Sequence, residues 1–161
     1  MPYRYLDNIA IADVAFEAWD RTPEELFASA ADATLNAMVE NLEDIREEIT
    51  KTVSLGAESL EMLLFQLLQE LVFYKDAEQL LLRVACCTLS PDSALSKESA
   101  LSEDSAPSSQ KPRLTLAAVL RGERIDPSRH RLIVDVKAVT LHRFSVEQTP
   151  EGWRATIILD V

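Results

Sequence analysis

Twice in this chain of 161 residues the apolar side chains stop recurring at every second position and recur instead every third or fourth, and this change of period restricts the fold more than any other feature. The first such stretch opens at Thr22-Pro23-Glu24-Glu25, where Thr can cap, Pro occupies the first helical position and Glu25 completes a capping box. Leu26, Phe27, Ala30, Ala33, Thr34, Ala37 and Met38 then form one stripe, which predicts a helix running to about Asn41. The second stretch runs from about Glu58 to Tyr74. Leu60, Leu63, Leu64, Leu67, Leu68, Leu71 and Val72 make its apolar face, with Glu61, Gln66, Gln69 and Glu70 mostly on the other side. A partner groove or a membrane surface could use that face, but any buried helix has the same pattern, and core packing is the simpler reading.

Between and after these helices the period is two, and β-branched and aromatic residues replace leucine. Strands are predicted at Tyr3 to Asp7, Ala12 to Trp19, Ile45 to Ser54, Leu81 to Leu89, Arg113 to Leu120, Leu132 to Val136, Leu141 to Glu147 and Trp153 to Asp160. Strand, helix, strand, helix and then a run of strands predicts an α+β fold. Its form is a two-layer sandwich of one mostly antiparallel sheet with two packed helices, parallel pairing across the helices remaining open. The segment Ser90 to Pro112 interrupts this pattern: eight of its twenty-three residues are serine and three are proline. Such a segment buries too little apolar surface to offset the entropy of ordering it, so a disordered loop at 90–112 within a single domain, 1–161, is expected. A loop that is phosphorylated or binds a partner is the other reading of the same serines.

Charge narrows the partners. The net charge is −11, and residues 1–112 carry −13 of it while 113–161 carry +2. A protein that neutralises phosphates with Lys and Arg is disfavoured, so no direct nucleic-acid binding is expected. No stretch approaches the ~20 apolar residues of a membrane span. The first residues lack a secretory signal, which makes a cytoplasmic location the expectation. Cys86 and Cys87 are adjacent and read as core or near-core residues, and His130 and His142 have no companion cysteine, which excludes a structural zinc site. The glycines at 56, 122 and 152 are too scattered for a phosphate-binding loop, and neither histidine sits in a local nucleophile signature.

Two aspartates stand out. Asp13 interrupts an apolar run from Ile9 to Phe16, and Asp160 follows Ile157-Ile158-Leu159. An ionised carboxylate buried in an apolar strand costs several kcal/mol unless a cation or hydrogen bonds offset it. If the strands bearing them are neighbours, Asp13, Asp160 and the carboxylate of Val161 supply hard oxygen ligands for Ca²⁺ or Mg²⁺. An exposed Asp near a strand end is the alternative reading.

The run Ala12-Asp13-Val14-Ala15-Phe16-Glu17-Ala18-Trp19, followed by Thr22-Pro23-Glu24-Glu25-Leu26-Phe27, resembles the amino-terminal signature of the archease family. Asp126-Pro127-Ser128-Arg129-His130, Val136-Lys137-Ala138-Val139-Thr140-Leu141-His142 and Ile157-Ile158-Leu159-Asp160-Val161 resemble its later motifs, in order. Where many archeases have Asp-His-Thr-Ala-Asp before the strand, this chain has Ile9-Ala10-Ile11-Ala12-Asp13, so no histidine is offered there. The resemblance implies a non-catalytic protein cofactor of the GTP-dependent RNA-splicing ligase, promoting ligase guanylylation and multiple turnover. It implies a metal site at Asp13, Asp160 and Val161, with Lys137 and His142 as partner contacts or site support. It also leaves room for a chaperone-like modulator of a tRNA methyltransferase. A metal-dependent phosphoesterase using Asp13 and Asp160 is the reading from a different class, and it lacks an evident general base or second metal cluster.

Overall fold

A computed structural model describes residues 2–6, 13–91 and 114–161. The element order is β1 (Tyr3–Leu6), β2 (Val14–Asp20), α1 (Pro23–Met38), β3 (Ile49–Ala57), α2 (Leu60–Glu78), β4 (Leu80–Pro91), β5 (Leu114–Arg124), β6 (Ala138–Thr149) and β7 (Gly152–Asp160). Both predicted helices are present. Thr22 accepts a hydrogen bond from the Glu25 amide at 3.1 Å, and its hydroxyl donates to the Glu25 carboxylate at 3.1 Å. Ser59 caps α2 by accepting from the Met62 amide at 3.2 Å, and Gln79 closes that helix in the left-handed conformation at φ 59°.

The fold is α+β and, among the described residues, every strand pairing is antiparallel. Instead of the single sheet expected, the strands divide into two sheets, one ordered β1-β2-β7-β6 and the other β3-β5-β4. Each helix packs on both sheets, α1 on β2, β4 and β7, α2 on β3, β4, β5 and β6. Helix α1 can lie so close because Ala30, Ala31, Ala33 and Ala37 are buried around it and carry little bulk. Phe16 and Ile157 from the four-stranded sheet, Leu81 and Leu116 from the other, and Leu63, Leu64, Leu67 and Leu68 from α2 share one core.

Three expectations are corrected. Residues 45–48 are not strand: a single turn of 3-10 helix at Leu42–Asp44 precedes them, and β3 begins only at Ile49. Leu132 to Val136 forms no strand either, only one bridge from Leu132 to Val39. Leu132 and Ile133 stay exposed there, because Lys75 and the end of α1 hold this segment against the helices instead of in a ladder. Cys86 is exposed, since a bulge between Val84 and Cys86 shifts the register of β4. Cys87 is half-buried, and its thiol is pushed up to about 11 by burial, with the nearby Glu24 carboxylate acting in the same direction. Ser90 and Pro91 belong to β4, and the rest of the serine-rich segment, with residues 7–12, lies outside the described residues.

Candidate functional site

The strand order brings the amino-terminal strands against the carboxyl-terminal ones, and this places the anomalous aspartates together. In the β2–β7 ladder Val14 is opposite Leu159, so Asp13 and Asp160 are the next residues outward on each strand, at the same end of the sheet. In the β6–β7 ladder Ala138 is opposite Asp160, so Lys137 and Val161 follow at that same end. The Lys137 amide donates to the main-chain oxygen of Asp160 at 2.7 Å. Asp13, Asp160 and Val161 are half-buried and Lys137 is exposed.

Neither Asp13 nor Asp160 has a salt-bridge or side-chain hydrogen-bond partner among the described residues. That is the opposite of what a half-buried carboxylate needs if the protein alone is to stabilise its charge. Among the described residues no group of three or more His, Cys, Asp or Glu side chains could hold a metal ion. Asp13 and Asp160 nonetheless bring two hard-oxygen carboxylates to this end of the sheet, beside Val161. This suits Ca²⁺ or Mg²⁺, with water or a partner completing the shell, and does not suit a soft metal. His142 lies in the irregular stretch of β6 between Thr140, opposite Ile158, and Ser145, opposite Thr156. It is exposed and further along the strand than Asp160, beside Arg143 at φ 55°.

The motif Asp126 to His130 does something else. Glu123, 3% exposed, accepts from the Arg46 amide at 2.8 Å, from the Arg129 guanidinium, and from His130 Nε2 at 2.9 Å. His130 Nδ1 accepts from the Asp126 amide at 2.9 Å, so its ring is the neutral form with the proton on Nε2. Arg129 also donates to the Asp44 carbonyl at 2.9 Å, and Ser128 donates to Asp126 through both its amide and its hydroxyl. Burial alone would raise the Glu123 carboxyl, but the Arg129, Arg46 and His130 hydrogen bonds prevail and hold it at about 2. No buried side-chain polar atom of this cluster lacks a partner, and the cluster ties the end of β5 to the turn before β3.

A cleft of about 710 Å³ is at the opposite end of the four-stranded sheet, between Trp19, Trp153 and the β6–β7 turn. Its Arg4 and Arg154 are already paired with Glu17 and Glu147 at 3.1 and 3.3 Å, which leaves them little unmatched charge for a ligand. The residue that sequence reasoning missed is Lys75. Its signal was a lysine three and four residues beyond Val72 and Leu71, on the leucine stripe of α2.

Residues 3–161 match the model of the Archease protein family (MTH1598/TM1083). Protein archease of Archaeoglobus fulgidus is 32% identical over the full length of both chains, and that of Methanosarcina mazei is 28% identical over 99% of this chain and 95% of its own. The solution structure of Methanobacterium thermoautotrophicum protein 1598 superposes with a TM-score of 0.73 at 25% identity, covering 99% of each chain. The crystal structure of an archease from Thermotoga maritima, described as a possible chaperone, shares the fold with a TM-score of 0.58 at 15% identity, covering 98% of this chain and all of its own.

Proposed function

This chain belongs to the archease family, and from that premise we propose that it is a protein activator of a GTP-dependent RNA-splicing ligase. It promotes ligase guanylylation and multiple turnover through Ca²⁺ or Mg²⁺ held by Asp13, Asp160 and Val161. The observation that carries the reading is the antiparallel register, which sets two carboxylates, without counter-charges among the described residues, at one sheet end beside Val161.

A divalent cation bound there would supply charge neutralisation of a triphosphate, the positioning role that metals play in phosphoryl transfer. The chain's own residues have three tasks. Asp13 and Asp160 present oxygen donors from adjacent strands, so the spacing of the donors is set by a ladder and not by a loop. Lys137, through its amide, fixes the main chain of Asp160, while its exposed ammonium is available to an anionic group of the partner. The net charge of −11 favours docking beside a basic RNA-binding cleft without competition for the RNA.

The test is to titrate the protein into a GTP-dependent ligase with a 3′-phosphate RNA and follow ligase guanylylation. Stimulation by the wild type and none by Asp160→Ala is the expected result. Stimulation by both equally would remove the site from the activity. A chaperone-like role toward a tRNA-modifying methyltransferase is the second reading, favoured by the description of the Thermotoga maritima neighbour as a possible chaperone. It predicts protection of that enzyme from aggregation that is indifferent to Asp13 and Asp160.

A further inference from the structure

Lys75 occupies the last turn of α2 on the stripe of Leu64, Leu68 and Leu71, and only 6% of it is exposed. An ammonium is compact and strongly hydrated, so burying it is unfavourable even when it is paired, and an apolar side chain at the same position would simply extend the leucine face. Core packing therefore does not explain the residue. Its contacts do. Nζ donates to the Asp135 carboxylate and, at 2.7 Å, to the main-chain oxygen of Val136, and it pairs with Asp76 at 2.5 Å. The Asp135 and Asp76 side chains are 70% and 54% exposed, so both acids keep water while the lysine alone is buried.

These contacts converge on a part of the chain with no ladder to hold it. Residues 133–137 are outside any strand, and β6 starts at Ala138. Lys75 grips Val136 from the helix side. At the next residue the Lys137 amide reaches the main-chain oxygen of Asp160, and two residues further the Val139 amide donates to Gln69 Oε1 at 2.9 Å, again from α2. The main chain that carries Lys137 is thus held by α2 both before and after the one point where it fixes Asp160.

We propose that Lys75 is a positioning residue for the cation site: by fixing Val136 it sets Lys137, and through the Lys137 amide it sets the main chain from which the Asp160 carboxylate projects. This inference rests on the proposed cation site, and the experiment separates the two. Tb³⁺ luminescence, with Ca²⁺ competition, is titrated on wild type, Lys75→Met, Lys75→Arg and Asp135→Asn, each also melted without metal. Substitutions behind a metal ligand commonly cost about 10–100-fold in affinity.

The expected result is that Lys75→Met melts within a few degrees of wild type without metal but binds the cation at least about tenfold more weakly. Lys75→Arg, which keeps a charged donor toward Val136 and Asp135, recovers part of that loss. Asp135→Asn acts at an exposed side chain, keeps its shape and an oxygen acceptor toward Lys75, and weakens binding in the same direction by a smaller factor. It keeps the inference exposed to refutation if Lys75→Met does not fold. Wild-type affinity in both Lys75→Met and Asp135→Asn overturns the positioning role while leaving the cation site standing. A wild-type protein that binds neither Tb³⁺ nor Ca²⁺ overturns the site itself, and the inference with it.

Discussion

Glu123 and Asp160 both lie near the carboxyl end of a strand that is otherwise largely apolar, yet the molecule treats them in opposite ways. Glu123 is buried under three donors, from Arg46, Arg129 and His130, and its charge is fully answered within the fold. Asp160 is half-buried, its main chain is fixed by Lys137, and its carboxylate is left without a protein partner among the described residues. An acid whose hydrogen bonds are all internal holds structure together. An acid fixed by its backbone while its side chain is left open is available to something outside the chain.

The sharpest way to break this comparison is to remove each carboxylate and measure stability. Glu123→Ala leaves Arg129 and His130 facing a void, and breaking a buried pair by removing one partner costs about 3–5 kcal/mol. Asp160→Ala is expected to cost no more than about 1 kcal/mol of metal-free stability, because its side chain has no partner among the described residues to lose, or to raise it slightly by relieving repulsion with Asp13. Urea midpoints of the two variants decide it. Similar losses would mean that Asp160 is a structural acid after all.

The second comparison is made with metal present. Binding to the folded state raises stability by about 2.7 kcal/mol at a hundred times the dissociation constant. Millimolar Ca²⁺ or Mg²⁺ should raise the melting temperature of the wild type and leave Asp13→Ala and Asp160→Ala unmoved. A cation shift that survives both substitutions would place the bound ion elsewhere.

Of this contrast only the Asp160 side could be read in the chain before any coordinates. The cap at Thr22 and the leucine spacing of α2 are local signals, set within a few residues, and they located both helices, although α2 runs on to Glu78, four residues beyond the expected Tyr74. Asp13 and Asp160 could be paired in advance because each interrupts an apolar run and the family motifs bracket both. What sequence could not carry was any feature decided by distant partners. The apolar run Leu132 to Val136 has the composition of a strand, but no strand lies beside it and it pairs only once, with Val39. The division into two sheets follows from how α1 and α2 insert, not from any property of one strand. Lys75 reads as an ordinary helix lysine until Val136 and Asp135, about sixty residues later in the chain, are seen to meet it.

Acid probes the Glu123 side of the comparison more gently. Glu123 has its pKa lowered from the ordinary 4.5 to about 2 in the folded state, so the stability it contributes is fully present above about pH 4.5 and is lost as pH falls toward about 2. Between those limits the wild-type melting temperature should fall, and Glu123→Gln, already less stable at neutral pH, should fall less steeply over the same window. A Glu123→Gln curve as steep as the wild type would assign the acid sensitivity to other carboxylates.

The smallest effect expected comes from altering Val161 alone. Lys137 faces it one step beyond the Ala138–Asp160 pair, so an extension added after Val161 turns the carboxylate into an amide while β7 and its ladder to β2 stay as they are. Metal-free stability should therefore be unchanged within about 0.5 kcal/mol, the range of surface substitutions away from special features. Cation affinity should drop, because one of three acidic donors becomes a neutral carbonyl. A tenfold loss corresponds to about 1.4 kcal/mol. An extension at the amino terminus changes no donor and serves as the control. If the two extended proteins show the same cation-dependent rise in melting temperature, Val161 is not a ligand, and Asp13 and Asp160 must share the ion with water or with the partner alone. If a partner supplies the missing donors, cation affinity should be higher in its presence than for the isolated protein.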